Sequence, residues 1–150
     1  MIDEHHLDEQ ENRRPLGLNL LTGLYAFFFL VTFSTVGHPF PFMGRIYTGT
    51  VAQTLVFIDS LICLYLVIGL VKRQYLTWFL LIGYNFFEIG NTIVNLTAIT
   101  PAELERVAGE SINQEALLVN NIIVALTILL LTQFIYRHKA YFTNRRLLLF

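Results

Sequence analysis

Long stretches without a charged residue constrain this chain more than any other feature of its sequence. The stretch from Pro15 to Gly44 contains no Lys, Arg, Asp or Glu. Over the whole chain, 55% of the 150 residues are hydrophobic and only 14% are charged, whereas soluble domains carry about a quarter charged residues. A transmembrane helix needs about 20 mostly apolar residues. Four segments meet that need, and we place the spans at about 16–36, 50–71, 76–99 and 112–136.

These segments predict an all-α integral membrane protein whose residues 15–137 form a four-transmembrane-helix bundle. Residues 1–14 are acidic and poor in apolar side chains, which predicts a flexible N-terminal tail, and residues 138–150 form a basic C-terminal tail. Lys and Arg mark the cytoplasmic side of short loops. With four spans, all but Arg45 and Arg106 of the basic residues fall on one side. We therefore expect both termini in the cytoplasm, most simply at a bacterial inner (plasma) membrane.

The second outer loop carries the signals of a short helix. Thr100 can cap the helix, Pro101 suits its first position, and Glu103 completes a capping box. Gly109 is suited to end it. The sequence therefore predicts a short interfacial helix over Pro101–Ala108.

Two further loop features bear on the outer side of the bundle. Ser111 and Gln114 repeat the capping pattern, which predicts that the fourth helix begins near Ile112, before the membrane proper. In the first outer loop, the two prolines and two glycines of "GHPFPFMG" exclude a regular helix. We see no tandem repeat and no low-complexity segment.

A polar stripe runs along the third segment. Tyr84, Glu88, Asn91 and Asn95 are spaced four, three and four residues apart, which puts them on one face of a helix. A charged group at the centre of a bilayer costs roughly 2.5–3.5 kcal/mol on insertion scales. The stripe is therefore expected to face the interior of the bundle, a partner or water.

The second segment contains another acid, Asp59, at the depth of Glu88. At about 1.5 Å per residue, both lie roughly 14–17 Å below the outer ends of their helices. Burial and mutual repulsion disfavour two ionised carboxylates, so at least one is expected to be protonated near neutral pH unless a cation joins them. No Lys, Arg or His lies at that depth. The acids therefore either form neutral hydrogen bonds, hold a cation or cationic ligand, or exchange protons with water.

Most other polar groups in the spans lie in their outer halves. They predict an outward-facing polar pocket that narrows onto the two acids. Amides also stabilise membrane helix packing through hydrogen bonds worth about 0.6 kcal/mol each, so a purely structural role for the stripe, fixing helix packing or a dimer, stays open. The candidate ligand- or ion-binding residues are Asp59, Glu88, Asn91, Asn95, Asn121, Gln53, Tyr84, Tyr25 and His38.

Several classes of function are disfavoured by what the sequence lacks. A net charge of −1 gives no electrostatic footprint for nucleic-acid binding. The single cysteine, Cys63, excludes an internal disulfide. None of the four histidines falls within a span, which disfavours haem. No H-E-x-x-H motif indicates catalytic zinc. No cofactor and no metal site is predicted.

Three functions remain, in order of preference. The first is a cation/proton-linked small-molecule transporter or carrier in the lipid bilayer, acting as a homodimer or within a larger membrane complex. The second is a binding or accessory protein that holds a lipid, an amphiphile or a partner protein without turnover. The third is a lipid-modifying enzyme that uses Glu88 and Asp59 as acid and base. The paired acids favour the first function, whereas spans without an internal proline favour the second.

Overall fold

The computed structural model describes residues 15–146 and is mostly helical. The N-terminal tail over 1–14 and residues 147–150 of the C-terminal tail lie outside the described residues. Within the described range, a short β-hairpin follows the first helix and a 3₁₀ turn over Lys139–Tyr141 follows the last. The elements are α1 (Leu16–Ser34), β1 (Phe40–Phe42), β2 (Arg45–Tyr47), α2 (Gly49–Val71), α3 (Tyr75–Ala98), α4 (Pro101–Ala108) and α5 (Gln114–Arg137).

Three of the described helices, α1, α2 and α5, are long and apolar enough to cross a membrane. They contain 19, 23 and 24 residues, and a span needs about 20. α3 is also long enough, with 24 residues. It is not among the three apolar helices, because its polar stripe lowers its hydropathy. The exposed apolar side chains of α1, α2 and α5 indicate contact with a lipid bilayer.

The long helices form two closely packed pairs. α1 packs along α2, and α3 packs along α5, while α2 and α3 meet less extensively. At Gly69, an added Cβ would overlap the side chain of Thr77, so this glycine permits the close approach of α2 and α3. The apolar core contains Leu18, Leu21, Tyr25, Leu66, Leu70, Trp78, Leu81, Ile135 and Phe142.

The core lies near the end of the bundle where α2 turns into α3, which we call the turn end (residues 72–75 and 137–146). There the chain after α5 folds back onto the turn. Asn144 forms a parallel β-bridge with Gln74, and its carbonyl accepts a hydrogen bond from the backbone N–H of Tyr75 at 2.7 Å. Lys139 Nζ lies 4.6 Å from the centre of the Trp78 ring, within the range of a cation–π interaction. These contacts tie the C-terminal segment to the start of α3.

The opposite end of the bundle, the hairpin end (residues 35–48 and 99–113), carries a β-hairpin that the sequence did not predict. Phe40 pairs with Tyr47 in antiparallel register. The turn residues Met43 and Gly44 have φ angles of 47° and 80°, as the favoured two-residue hairpin turn requires. A Cβ on Gly44 would lie 2.7 Å from the Cβ of Ala98. The hairpin therefore rests directly on the last turn of α3.

The predicted short helix is confirmed as α4, Pro101–Ala108. Thr100 Oγ1 accepts a hydrogen bond from the backbone N–H of Glu103 at 3.3 Å, as its role as the N-cap requires. Gly109 has a φ of 76° and ends the helix in the left-handed conformation. Both ends of α4 are therefore set by local side-chain and backbone chemistry.

The last long helix begins two residues later than predicted, at Gln114 rather than near Ile112. Asn113 acts as the N-cap, because its Oδ1 accepts a hydrogen bond from the backbone N–H of Ala116 at 3.1 Å. The backbone N–H of Ile112 instead donates to Glu105 Oε1 at 3.1 Å. The contact between α4 and the following loop thus delays the start of α5.

Candidate functional site

A cavity of about 490 Å³ lies at the hairpin end. Its volume is within the range of about 300–1,000 Å³ that is typical of small-molecule sites. Side chains from β1 and from all five helices line it. The polar ones are Thr32, Thr35, Asp59, Glu88, Asn91, Thr92, Asn95, Gln114 and Asn121, and the apolar ones are Val31, Phe40, Pro41, Leu96, Ile99, Pro101, Leu104, Leu117 and Leu118.

The two acids are the lining residues nearest the middle of their helices. Asp59 is ten residues from the first residue of α2 (59 − 49), and Glu88 is ten from the last residue of α3 (98 − 88). At a rise of about 1.5 Å per residue, each carboxyl lies about 15 Å from the helix end. Both acids line the cavity, and their helices contact each other. They therefore form the floor of the cavity.

The two carboxyl groups differ in their surroundings. Asp59 Oδ1 accepts a hydrogen bond from the Tyr84 hydroxyl at 2.9 Å. Glu88 has neither a hydrogen bond nor an ion pair within residues 15–146. No Lys, Arg or His is among the described residues that line the cavity. Glu88 is thus an acid that the described part of the protein leaves unpartnered.

Tyr84 lies beneath the floor and does not itself line the cavity. Its hydroxyl is 3.2 Å from Cys63 Sγ as well as bonded to Asp59. Cys63 is four residues after Asp59 and therefore on the same face of α2. Cys63 was not among the candidate residues predicted from the sequence, although its i, i+4 spacing from Asp59 was a signal for it.

Asn91 and Asn95 line the cavity, but their amide oxygens hold the hairpin. Asn91 Oδ1 accepts from the backbone N–H of Met43 at 2.8 Å, and Asn95 Oδ1 accepts from that of Gly44 at 2.7 Å. Asn95 Nδ2 also donates to the carbonyl of Pro41 at 3.3 Å. Both N–H groups of the turn need an acceptor, and the two amides supply one for each. Asn91 and Asn95, two of the four residues of the polar stripe, therefore position the hairpin over the cavity.

Besides Tyr84, three candidate residues lie outside the cavity lining. The Tyr25 hydroxyl donates to Asn85 Oδ1 at 2.6 Å, and Asn85 Nδ2 donates to Thr132 Oγ1 at 3.0 Å. This buried network joins α1, α3 and α5. Gln53 is exposed on α2, and His38 is exposed in the bend before β1. The structure thus does not bring these three residues together with Asp59 and Glu88.

One more candidate, Asn121, lines the cavity, together with four polar residues that were not candidates. Asn121 lines the cavity, and its Nδ2 donates to the carbonyl of Leu117 in its own helix at 2.8 Å. Thr32, Thr35, Thr92 and Gln114 also line the cavity. Thr92 directly follows Asn91, a stripe residue, in the sequence, which was a local signal for it. The position of Gln114 instead depends on how α5 meets α3.

The described residues contain no group of three or more His, Cys, Asp or Glu side chains arranged to hold a metal ion. Comparison of the chain with known protein families, with curated proteins and with solved structures finds no match. The cavity is therefore the feature that bears most directly on function. Chemically, it presents two carboxyl groups, one of them unpartnered, beneath walls that are largely apolar.

Proposed function

We propose that the chain is a four-span membrane protein that binds a small cationic molecule in this cavity and exchanges it for protons, as a cation/proton-linked carrier. In this topology α3 is the remaining span, and the hairpin end faces the outside. The observation that carries the proposal is the unpartnered carboxyl of Glu88 in a cavity whose described lining has no basic group.

Polar side chains that only stabilise packing usually have a hydrogen-bond partner in the protein, whereas Glu88 is half-buried and opens onto the cavity. Asp59 has such a partner in Tyr84, but Glu88 has none within the described residues. Ionisable groups inside a membrane are also rare and usually functional. The oxygen atoms of Glu88 can accept either a proton or a hydrogen bond from a cation. This competition links cation binding to proton release.

The distribution of basic residues supports the proposed orientation. Arg45 and Arg106 are the described basic residues at the hairpin end. The turn end carries more of them, and an excess of Lys and Arg in short loops marks the cytoplasmic side. The turn-end residues are Lys72, Arg73, Arg137, Lys139, Arg145 and Arg146.

Reconstituted vesicles test the carrier function. The purified chain would be placed in liposomes that contain a pH-sensitive dye, and a panel of organic and inorganic cations would be added outside. We expect at least one cation to change the internal pH in wild-type vesicles beyond its effect on protein-free vesicles. Glu88→Gln should abolish this difference. Glu110→Gln should preserve it, because Glu110 is exposed in the loop after α4. If wild-type and protein-free vesicles behave alike with every cation, the carrier function is wrong.

One observation favours the alternative of binding without turnover. The apolar core, which includes Leu66, Leu70 and Leu81, occupies the bundle between the carboxyl floor and the turn end. A protein that only holds its ligand has no need of a path through this core. Proton release from detergent-solubilised protein on addition of a cation, without a pH change inside vesicles, would support this accessory function over the carrier.

A further inference from the structure

We infer that the cation is an amphiphilic amine in its protonated form, with at least one N–H donor and a hydrocarbon body. The ammonium group would lie against Glu88, and the hydrocarbon would lie along the apolar walls of the cavity. This inference rests on the proposed function and specifies the ligand of the same site.

The oxygen ligands available in the cavity do not suit a metal ion. Ca²⁺ takes about six to eight oxygen ligands, and Mg²⁺ requires a near-octahedral set. The anionic oxygens of the cavity are the carboxyl groups of Asp59 and Glu88, one oxygen of which already accepts from Tyr84. The other side-chain oxygens of the described lining belong to neutral amides and threonine hydroxyls. The amide oxygens of Asn91 and Asn95 accept from the hairpin backbone. An ammonium group, in contrast, can be held by a single carboxylate.

The walls fit a hydrocarbon body. Leu96 comes from the last turn of α3, Ile99 directly follows that helix, Leu104 comes from α4, and Leu117 and Leu118 come from α5. These residues follow the carboxyl floor toward the hairpin end, so a molecule anchored at Glu88 extends between them. Because burial of a methylene favours binding by about 0.8 kcal/mol, each added methylene should tighten binding about fourfold until the cavity is full.

The hydrogen-bonding state of Glu88 favours a ligand with N–H groups over a quaternary ammonium. Its oxygens are acceptors without a donor among the described residues, and a protonated amine supplies donors at hydrogen-bond distance. Quaternary ammonium groups are typically recognised by several aromatic faces. Phe40 is the single aromatic side chain among the described residues that line the cavity. The described lining therefore lacks an aromatic cage.

Binding of matched eight-carbon probes tests this assignment. The full-length chain in nanodiscs would be titrated with n-octylamine, n-octyltrimethylammonium and n-octanol at a pH where the amine is protonated, and with Na⁺, Mg²⁺ and Ca²⁺. We expect n-octylamine to bind at least tenfold tighter than the other two octyl probes. Glu88→Gln should weaken n-octylamine at least tenfold, and Glu110→Gln should leave it unchanged. Leu117→Trp keeps Glu88 but fills the cavity, and it should also weaken the binding of n-octylamine. This second variant tests the assignment if Glu88→Gln does not fold.

The outcomes separate this inference from the proposed function. Equal binding of n-octylamine and n-octyltrimethylammonium, both dependent on Glu88, would overturn the N–H requirement and leave cation binding in place. Glu88-dependent binding of a metal ion alone would overturn the amine and likewise keep a cation site. If n-octanol binds as tightly as n-octylamine and Glu88→Gln has no effect, both the ligand assignment and the proposed function fail. Absence of binding by every probe would also overturn both.

Discussion

Asn95 Oδ1 accepts a hydrogen bond from the backbone N–H of Gly44 at 2.7 Å, which joins the tip of the β-hairpin to α3 across 51 residues of sequence. The neighbouring amide of Asn91 does the same for Met43. Together these bonds place the hairpin strand β1 at the wall of the cavity. Part of the polar stripe on α3 is thus satisfied by the protein's own backbone, while Glu88 in the same stripe is not.

Replacement of Asn95 tests the contribution of this junction. Asn95→Leu removes the acceptor of Gly44 and the donor to Pro41. A hydrogen bond contributes about 0.5–1.5 kcal/mol net, and this one is part-buried. We therefore expect a loss of about 1 kcal/mol in the free energy of unfolding, measured by denaturant titration in micelles. Asn120→Leu is the matched control, because Asn120 is exposed on α5. Equal losses in the two variants would contradict a role for the hairpin bonds.

The cost of replacing Gly44 can be separated into a backbone contribution and a packing contribution. Gly49 also has a positive φ, of 62°, but an added Cβ there meets nothing within 4 Å. Gly49→Ala should therefore cost only backbone strain of about 1–2 kcal/mol. Gly44→Ala should cost about 1–3 kcal/mol more, because its Cβ would collide with Ala98. Adding Ala98→Gly should recover most of that excess, as judged from unfolding of the single and double variants. No recovery would show that the hairpin does not rest on Ala98.

The hydrogen bond from Tyr84 to Asp59 predicts that replacing Tyr84 costs more stability than replacing Tyr65. Tyr84→Phe leaves Asp59 Oδ1 without its donor, and we expect a loss of about 1–3 kcal/mol in unfolding free energy. Tyr65→Phe on α2 removes a hydroxyl that has no hydrogen bond within residues 15–146 and should change stability by less than about 0.5 kcal/mol. A Tyr84→Phe variant as stable as wild type would mean that Asp59 does not depend on this donor.

Ser60 gives a prediction of the opposite sign. Its side chain is 3% exposed, and its hydroxyl has no hydrogen-bond partner within the described chain. Ser60→Ala removes a polar group that is buried without compensation, so we expect stability to rise by about 1 kcal/mol. Ser34→Ala removes an exposed hydroxyl bonded to the carbonyl of Val31 and should be nearly neutral. Destabilisation by Ser60→Ala would indicate that the hydroxyl has a partner in the membrane.

Elements set by neighbouring residues could be predicted from the sequence. The bounds of α4 depend on Thr100, Pro101 and Gly109, each of which acts on the adjoining turn of the helix, and the structure has the predicted helix. The hairpin could not be predicted in this way. Its turn is stabilised by Asn91 and Asn95, which lie about fifty residues further along the chain, and its own sequence lacks the usual turn residues at Met43.

The candidate site shows the same division. Counting residues along two antiparallel helices puts Asp59 and Glu88 at one depth, and both line the cavity. Periodicity groups residues on a face, but it does not say which neighbour that face meets. Gln53 was therefore a candidate alongside Asn95, yet it is exposed on α2. The pairing of α3 with α5, which decides which polar groups converge, rests on long-range packing.

The position of the partners of α3 along the chain has a consequence for biogenesis. Trp78 donates to the carbonyl of Ile135, and Asn85 donates to Thr132, so α3 is synthesised before the helix that satisfies it. In the proposed topology, α3, the most polar span, stays beside the translocon without its partner helix until α5 has been synthesised. With Cys63→Ser as background, we expect a cysteine placed on α3 by Asn85→Cys to react with thiol reagents in chains truncated after Gly109 and to be protected in full-length chains. Premature termination anywhere before α5 would then produce a quality-control substrate rather than a smaller working protein.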